Sequence, residues 1–223
     1  GHGPKAWIHA REGRLLAAAE ERFARAADTT LLISENEANL FRTRVSNMDQ
    51  IDLQVMRNGI DATFFAPDAV KPEPTLYGPG PNLVFTGQMD YAPNVAAVER
   101  MAQRILPAIR EVHCDAEFHI VGRAPTPGVK ALAKRAGVTV WGEVPDVRPY
   151  LAEADIVVAP LMIARGIQNK VLEAMAMAKP VVLSPEAATG IDADDGVHFA
   201  IAEGDRMMAG RALALIDDRA KAR

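Results

Sequence analysis

From residue 82 to the end of the chain, short apolar runs alternate with segments whose apolar residues recur every three or four positions. The runs predict six buried strands, and the segments between them predict helices. Because the runs are almost continuously apolar, we expect both faces of each strand to be covered. The fold class is therefore α/β, with a doubly wound, Rossmann-like, parallel six-stranded sheet. The strands are expected at 82–87, 116–122, 138–142, 155–161, 180–184 and 197–201, and the helices at 93–110, 127–136, 146–153, 168–178 and 204–217.

The first 60 residues supply fewer elements. Residues 5–27 predict one amphipathic helix, and short strands are expected at 31–34 and 51–56. Between the strands, Ser34 followed by Glu37 is the signature of a helix N-terminus, and that helix is expected to end near residue 44. Two short strands make a marginal sheet by themselves. We therefore expect residues 1–60 to be an α/β remnant of a larger N-terminal domain.

A proline-rich segment separates the two patterns. Residues 66–81 contain five prolines and two glycines, a composition typical of an extended linker. The expected organisation is a remnant at 1–60, a linker at 61–81 and a larger domain at 82–223.

Composition narrows the class of protein. The chain has 223 residues, of which 49% are hydrophobic and 24% charged, as in ordinary globular proteins. Its net charge of −4 gives no overall basic field for nucleic acid. The single Cys114 excludes a disulfide framework. No apolar run approaches the ~20 residues that a membrane span needs.

Several common motifs are missing. The first predicted strand of the larger domain is followed by Thr86-Gly87-Gln88-Met89-Asp90, with one glycine where a dinucleotide fingerprint needs three. There is no P-loop, HExxH or GxSxG sequence, and the five histidines lack the spacing of metal ligands. These absences argue against a dehydrogenase, an ATPase, a zinc protease and an α/β-hydrolase.

The most informative stretch is 160–183, which predicts a strand, a loop, a helix and a second strand. Such loops lie where α/β proteins bind anions and nucleotides. On the helix, Asn169, Lys170 and Glu173 share one face. An ionised Glu173 suits both hydroxyls of a ribose, and Arg165 and Lys170 suit a diphosphate. The plainer interpretation is that these side chains are solvated, or that Glu173 pairs with Lys170.

Four segments, in order, carry a resemblance to the donor-binding, C-terminal half of GT-B-fold retaining glycosyltransferases of the large family 4. The sequence of residues 85–94, FTGQMDYAPN, is similar to that of a subgroup of sugar transferases associated with bacterial exopolysaccharide loci. The matching segments are Arg57–Phe65, Leu83–Gly87, Phe118–Gly122 with Val140–Gly142 and Asp146-Val147, and Leu172–Ala176 through Pro180–Val182.

The resemblance assigns roles. Glu173 would bind the donor ribose, the backbone around Gly142-Glu143-Val144 would contact the base, and Gly87 would leave room for the diphosphate or the sugar. The residues implied in catalysis are Glu173, Arg165 and Lys170. Those implied in donor binding are Gly87, Gln88, Gly122, Arg123, Gly142, Glu143, Val144, Gly166, Gln168, Asn169 and Glu173.

The chain also departs from the family pattern. Arg165 stands where the first of two glutamates spaced eight apart is usual. Gln88 replaces the usual arginine after the first strand, and Pro93 and Asn94 occupy the loop where a lysine is expected. We expect Arg165, Lys170 and the helix N-terminus to replace that basic pair.

The implied activity is transfer of a hexose from a UDP- or GDP-sugar to the hydroxyl of a glycan or lipid-linked glycan, with retention and without a metal or other cofactor. The implied location is cytoplasmic, with peripheral contact at the inner face of the membrane through the missing N-terminal domain. No membrane span and no nucleic-acid partner are expected. The acceptor site would lie in that missing domain, so this chain alone should bind nucleotide weakly and transfer nothing.

Three alternatives remain open. A sugar-nucleotide epimerase of the same GT-B architecture would convert the donor without an acceptor. A non-catalytic nucleotide-sugar-binding domain would fit the missing basic pair. A flavodoxin- or receiver-like domain is disfavoured because the first strand lacks an early acidic cluster.

Overall fold

Two units divide the chain, Gly1–Asn58 and Gly59–Arg223. The computed structural model describes residues 4–70, 76, 78–164 and 166–218. The segment expected as a linker, 61–81, is grouped with the larger unit, and its residues 71–75 and 77 lie outside the described part.

The smaller unit contains the elements that its pattern predicts. They are α1 (Pro4–Ala26), β1 (Thr30–Leu32), α2 (Glu35–Arg44) and β2 (Leu53–Val55). The two strands pair in parallel, with Thr30 opposite Leu53. The predicted N-cap is confirmed, since the Ser34 hydroxyl accepts a hydrogen bond from the backbone N–H of Glu37 at 3.2 Å.

The larger unit is built on a six-stranded parallel sheet, which confirms the expected fold class. The strand order is β5-β4-β3-β6-β7-β8. The chain winds outwards in one direction from β3 to β5 and then in the other direction from β6 to β8. The strand order therefore reverses between β3 and β6, and α/β proteins bind ligands in the crevice at such a reversal. The strands are β3 (Asn82–Thr86), β4 (Glu117–Val121), β5 (Val138–Gly142), β6 (Ile156–Ala159), β7 (Val181–Leu183) and β8 (Ala200–Ile201).

Helices connect these strands near the predicted positions, and one short helix that the sequence pattern did not predict follows β7. One long helical segment is formed by α3 and α4, which are joined by a π-helical stretch, Met101–Ile105. The next helix, α5, continues as a 3-10 turn at Leu132–Lys134. None of the helices within the described residues is long and apolar enough to cross a membrane. The bounds are α3 (Ala92–Arg100), α4 (Leu106–Arg110), α5 (Pro127–Ala131), α6 (Arg148–Glu153), α7 (Asn169–Ala176), α8 (Pro185–Ala188) and α9 (Asp205–Asp217).

The core of the larger unit lies on both faces of the sheet. Every residue of β3, β6 and β7 is buried, as their largely apolar runs predict. The largest fully buried side chains include Phe85, Phe118 and Leu151. This closed core fixes the strand ends from which the candidate site is built.

The last strand is shorter than predicted. We expected it to span 197–201, but β8 contains Ala200 and Ile201. The reason is a turn before it, in which the backbone N–H of His198 donates to the Asp194 carbonyl at 3.0 Å. That turn leaves Val197 76% exposed, so an apolar residue does not by itself continue a strand.

Candidate functional site

A cavity of about 470 Å³ opens at the carboxyl ends of β3, β4 and β5, beside the first turns of α7. Parallel strands bring their carboxyl ends to one edge of the sheet, so residues distant in sequence meet there. The lining residues are Thr86, Gly87, Gln88, Val121, Gly122, Arg123, Glu143, Val144, Val147, Ile167, Asn169, Lys170 and Glu173.

Two glycine loops approach each other at this edge. The backbone N–H of Gly87 donates to the Val121 carbonyl at 3.1 Å. A Cβ atom on Gly122 would stand 1.7 Å from the Gly87 carbonyl oxygen, and the Gly122 φ of 149° already disfavours a side chain. Residue 122 must therefore be glycine for the loops to pass, and their bare backbone lines part of the cavity.

The end of β5 is bent by a bulge. Ile120 pairs with Val140, whereas Val121 pairs with Gly142, so Trp141 is an additional residue without a partner in the register. Gly142 follows with a φ of 75°, a left-handed conformation that favours glycine. The bulge changes the direction of the chain, and the next two residues, Glu143 and Val144, line the cavity.

A buried hydrogen-bonded group lies next to the bulge. Trp141 Nε1 donates to His119 Nδ1 at 3.2 Å, so His119 carries its proton on Nε2, which lies 3.0 Å from Asn82 Oδ1. His119 is 1% exposed, and burial lowers its pKa to about 4. Burial outweighs the Glu117 carboxylate, whose Oε2 is 3.6 Å from His119 Nε2. The histidine is therefore neutral at physiological pH.

Lys170 connects α7 to the loop after β3. Its Nζ donates to Asn94 Oδ1 at 2.7 Å, and Asn94 Nδ2 donates in turn to the Gln88 carbonyl at 2.9 Å. The ammonium lies 4.1 Å from the centre of the Phe85 ring, within the range of a cation–π contact. It is also 3.1 Å from where a Cβ of Gly87 would stand. A cation is thus held directly at the glycine loop.

Lys170 and Glu173 are half-buried, and the charge of each changes the pKa of the other. Burial lowers the pKa of Lys170 to about 8, against an opposing effect of the Glu173 carboxylate. Burial likewise raises the pKa of Glu173, and the Lys170 ammonium opposes that rise. With its pKa of about 8, Lys170 is charged near pH 7, and both groups are poorly hydrated. Such a pair in a cavity is typical of a functional site, because a ligand can supply the interactions that water does not.

Thr86 contributes an unpaired polar group. Its side chain is 4% exposed, and its Oγ1 has no hydrogen-bond partner among the described residues. Leaving a buried hydroxyl unpaired costs about 1–3 kcal/mol. Thr86 lines the cavity, so this cost falls beside the candidate site.

A second polar contact joins the loops after β3 and β4. Arg123 Nη2 donates to Gln88 Oε1 at 2.7 Å. Gln88 is thus held through its side chain by Arg123 and through its carbonyl by Asn94. Both contacts keep this loop against the cavity.

The structure brings most of the sequence-predicted site residues together. Those that line the cavity are Gly87, Gln88, Gly122, Arg123, Glu143, Val144, Asn169, Lys170 and Glu173. Gly142, Gly166 and Gln168 do not line it; Gln168 Nε2 instead donates to the Gly166 carbonyl at 3.3 Å. Arg165 lies outside the described residues. The roles assigned to all these residues stay predictions.

Sequence reasoning missed five residues that shape the site. Four of them line the cavity, and the fifth, Asn94, holds Lys170. The sequence does offer an indication of Thr86, because it is a hydroxyl residue at the carboxyl end of a predicted strand. The sequence offers no indication of Asn94, because its partner, Lys170, is 76 residues away in the chain. The other three are Val121, Val147 and Ile167.

Solved structures with similar folds include glycosyltransferases and a sucrose-phosphate synthase. HepE from Anabaena, in complex with UDP and glucose, has a TM-score of 0.69 and 14% identity over 92% of this chain and 58% of that chain. Sucrose-phosphate synthase from Thermosynechococcus elongatus has a TM-score of 0.71 and 18% identity over 93% of this chain and 53% of that chain. A glycosyltransferase from Rickettsia africae has a TM-score of 0.69 and 13% identity over 89% of this chain and 57% of that chain.

The chain therefore spans just over half the length of each of these structures. At such low identity the likeness shows the fold, which is the GT-B glycosyltransferase architecture that the sequence motifs predict. A search of curated proteins found no match. The sequence model described as "Glycosyl transferases group 1" matches residues 80–218, which include every residue that lines the cavity. Because this match covers more than half of the chain, the chain belongs to the group 1 glycosyltransferases.

Proposed function

We propose that the cavity is the donor site of a retaining glycosyltransferase, which moves a hexose from a nucleotide sugar to an acceptor hydroxyl in the synthesis of exopolysaccharide or another cell-surface glycan. The observation that carries this proposal is the pair of half-buried charges, Lys170 and Glu173, beside the Gly87 loop. HepE, which shares the fold, has been captured with UDP and glucose, and this supports a nucleotide-sugar ligand.

Glu173 is assigned to the donor ribose. A carboxylate accepts hydrogen bonds from two neighbouring hydroxyls, and each charge-assisted bond contributes about 1.5–3 kcal/mol. Burial raises the pKa of Glu173, and the Lys170 ammonium limits that rise. The neighbouring cation therefore helps to keep Glu173 ionised as an acceptor.

Lys170 is assigned to the diphosphate. Gln88 in the loop after β3 and Asn94 in the first turn of α3 are both neutral, so neither position supplies a cation. Lys170 reaches that loop from α7, and Asn94 holds its ammonium in place. A fixed cation at this position would stabilise the negative charge that develops on the departing nucleoside diphosphate. Arg165 is assigned the same role from the sequence.

The reaction would pass through an oxocarbenium-like transition state, as in glycoside hydrolysis. Stabilisation of the leaving group is then the main task of the donor site, and the chain's own cations would perform it without a metal. We assign donor binding to residues 82–223 and regard residues 1–60 as part of the domain that would hold the acceptor. A cytoplasmic location of the protein, where nucleotide sugars are made, fits this assignment.

Titration calorimetry of the chain with UDP, GDP and their sugars tests the proposal. We expect binding by the unmodified chain, and at least about tenfold weaker binding by Glu173→Ala, since one charge-assisted bond or more is lost. Glu111→Ala is the matched control, because Glu111 is an exposed glutamate beyond α4, away from the cavity. Equal affinities for the unmodified chain and Glu173→Ala would exclude Glu173 as a ribose ligand.

Turnover distinguishes transfer from the alternatives. A protein that joins these residues to a complete acceptor domain should release nucleoside diphosphate only with an acceptor present, and the product should keep the anomeric configuration of the donor. Conversion of the donor without acceptor would indicate an epimerase instead. Tight binding without any turnover would indicate a non-catalytic domain.

A further inference from the structure

Four charged side chains line the cavity, and both cations lie on the β3 side: Lys170, with Glu173 near it, and Arg123, which donates to Gln88 Oε1. Lys170 places its ammonium at the loop after β3, 3.1 Å from where a Cβ of Gly87 would stand. On the other side, Glu143 follows the bulge that ends β5, and its exposed carboxylate makes no hydrogen bond within the described residues. Two strand spacings, or about 10 Å, separate β5 from β3.

This division orients a nucleotide in the cavity. A diphosphate is attracted by Lys170 and repelled by Glu143, so the phosphates belong on the β3 side. The base is then directed to the β5 side, over a distance comparable to that between a base and its phosphates. Val144 and Val147 line the cavity there and offer apolar contacts for the faces of a base.

The carboxylate on the β5 side is selective for one kind of base edge. A carboxylate accepts hydrogen bonds and donates none. Guanine presents two adjacent donors, N1–H and the 2-amino group, which match the two oxygens of a carboxylate. Uracil presents one N–H between two carbonyl oxygens, and those oxygens would be repelled. Adenine and cytosine each place an acceptor nitrogen beside their amino group.

We propose that Glu143 selects guanine at the base end of the cavity, so that the donor is a GDP-sugar. The inference rests on the proposed function, because it presupposes that the cavity binds a nucleotide. It assigns to Glu143 a role in specificity that its side chain performs, in addition to any contact made by its backbone. It also separates this chain from HepE, which was captured with UDP.

Titration calorimetry of the full chain with GDP, IDP and UDP tests the proposal. IDP keeps N1–H and lacks the 2-amino group, so it reports on one of the two hydrogen bonds. We expect GDP to bind about tenfold or more tightly than UDP, with IDP between them. Glu143→Gln should reduce the GDP-to-UDP ratio to about threefold or less, since an amide has a single acceptor oxygen.

The controls separate failure of this inference from failure of the donor-site proposal. Glu111→Gln, the same change at an exposed site outside the cavity, should keep the full ratio. UDP affinity in Glu143→Gln shows that the cavity is intact. UDP binding as tightly as GDP, or a ratio unaffected by Glu143→Gln, would overturn guanine selection and leave the donor site standing. Absence of binding by any nucleoside diphosphate would overturn both.

Discussion

Two groups of polar side chains lie at the sheet of the larger unit, and they differ in how fully they are satisfied. The His119 cluster consists of His119, Asn82 and Trp141, and both ring nitrogens of the histidine have partners. The Lys170 cluster consists of Lys170, Glu173 and Thr86. It contains a buried hydroxyl without a partner in the described part of the chain and two charges with pKa values shifted by burial.

The difference indicates what each cluster is for. Buried polar groups in proteins are normally hydrogen-bonded, so the His119 cluster is what a stable core requires. Unpaired or poorly hydrated polar groups lower stability and persist where a ligand completes them. Substitutions in the His119 cluster should therefore reduce stability and leave nucleotide affinity intact. Substitutions in the Lys170 cluster should do the reverse.

The largest effect is expected from His119→Ala. The substitution removes a fully buried ring and leaves the polar groups of Asn82 and Trp141 without their partner. We expect the free energy of unfolding to fall by about 3–4 kcal/mol, as measured by urea denaturation. Nucleoside diphosphate affinity of the folded variant should change less than about threefold. A loss of affinity comparable to that of a Lys170 variant would contradict the division between the clusters.

Acid should destabilise the larger unit through the same histidine. The folded-state pKa of His119 is about 4, below the 6.5 of an ordinary histidine, so the unfolded chain binds more protons between these values. The contribution of His119 is complete above pH 6.5 and is lost as the pH falls towards 4, by up to about 3 kcal/mol. Urea denaturation across this range measures it. His119→Gln, which cannot titrate there, should show a shallower decline, and an equally steep decline would assign the effect to other groups.

Lys170→Met should mainly weaken binding. The side chain keeps its length and loses its charge, so the diphosphate loses a charge-assisted contact worth about 2 kcal/mol, or about thirtyfold in affinity. Stability should change little, because removal of a poorly hydrated ammonium offsets the loss of its hydrogen bond to Asn94 and its contact with the Phe85 ring. Calorimetry and urea denaturation on the same samples measure both quantities. If stability fell and affinity did not change, Lys170 would be a structural residue.

The pH dependence of binding gives a smaller but more specific effect. Lys170 has a pKa of about 8 in the free chain, and a bound diphosphate would raise it by favouring the charged form. Affinity should therefore be complete below pH 8 and should fall by up to about tenfold over the next pH unit. Lys170→Arg keeps its charge throughout this range and should show no such fall. Calorimetry at pH 7, 8 and 9 compares the two proteins, and parallel profiles would exclude titration of Lys170.

The smallest effect is expected from Thr86→Val. The substitution replaces an unpaired buried hydroxyl by a methyl group of similar size, in a strand that suits valine. We expect the free energy of unfolding to rise by about 1 kcal/mol. Thr139→Val, at a half-buried strand position outside the cavity, is the matched control for strand preference. An equal gain in both variants would show that the Thr86 hydroxyl carries no particular cost.

The fold could be predicted from the sequence because buried strands appear in it as apolar runs. Residues 83–85 and 181–183 are continuously apolar, and both lie in fully buried strands. The strand ends then placed Gly87 and Gly122 at the cavity, with Lys170 and Glu173 on the helix beside it.

The interactions inside the site had no such signal. The contact between Lys170 and Asn94 joins residues 76 positions apart, and the hydrogen bond from Trp141 to His119 depends on a bulge that hydrophobic periodicity does not reveal. The unpaired hydroxyl of Thr86 became visible only when its surroundings were known. The sequence therefore did not reveal the contacts between residues that are far apart in the chain.

Amide chemical-shift mapping during a GDP titration tests whether nucleotide binds at the carboxyl edge of the sheet. The larger unit has a second cavity of about 420 Å³, lined by His113, Asp155 and Lys179, which provides an internal comparison. We expect the largest shift changes at Gly87, Gly122, Glu143 and residues 169–173, and only small changes around His113 and Lys179. Shift changes concentrated around His113 and Lys179 would contradict binding at this edge.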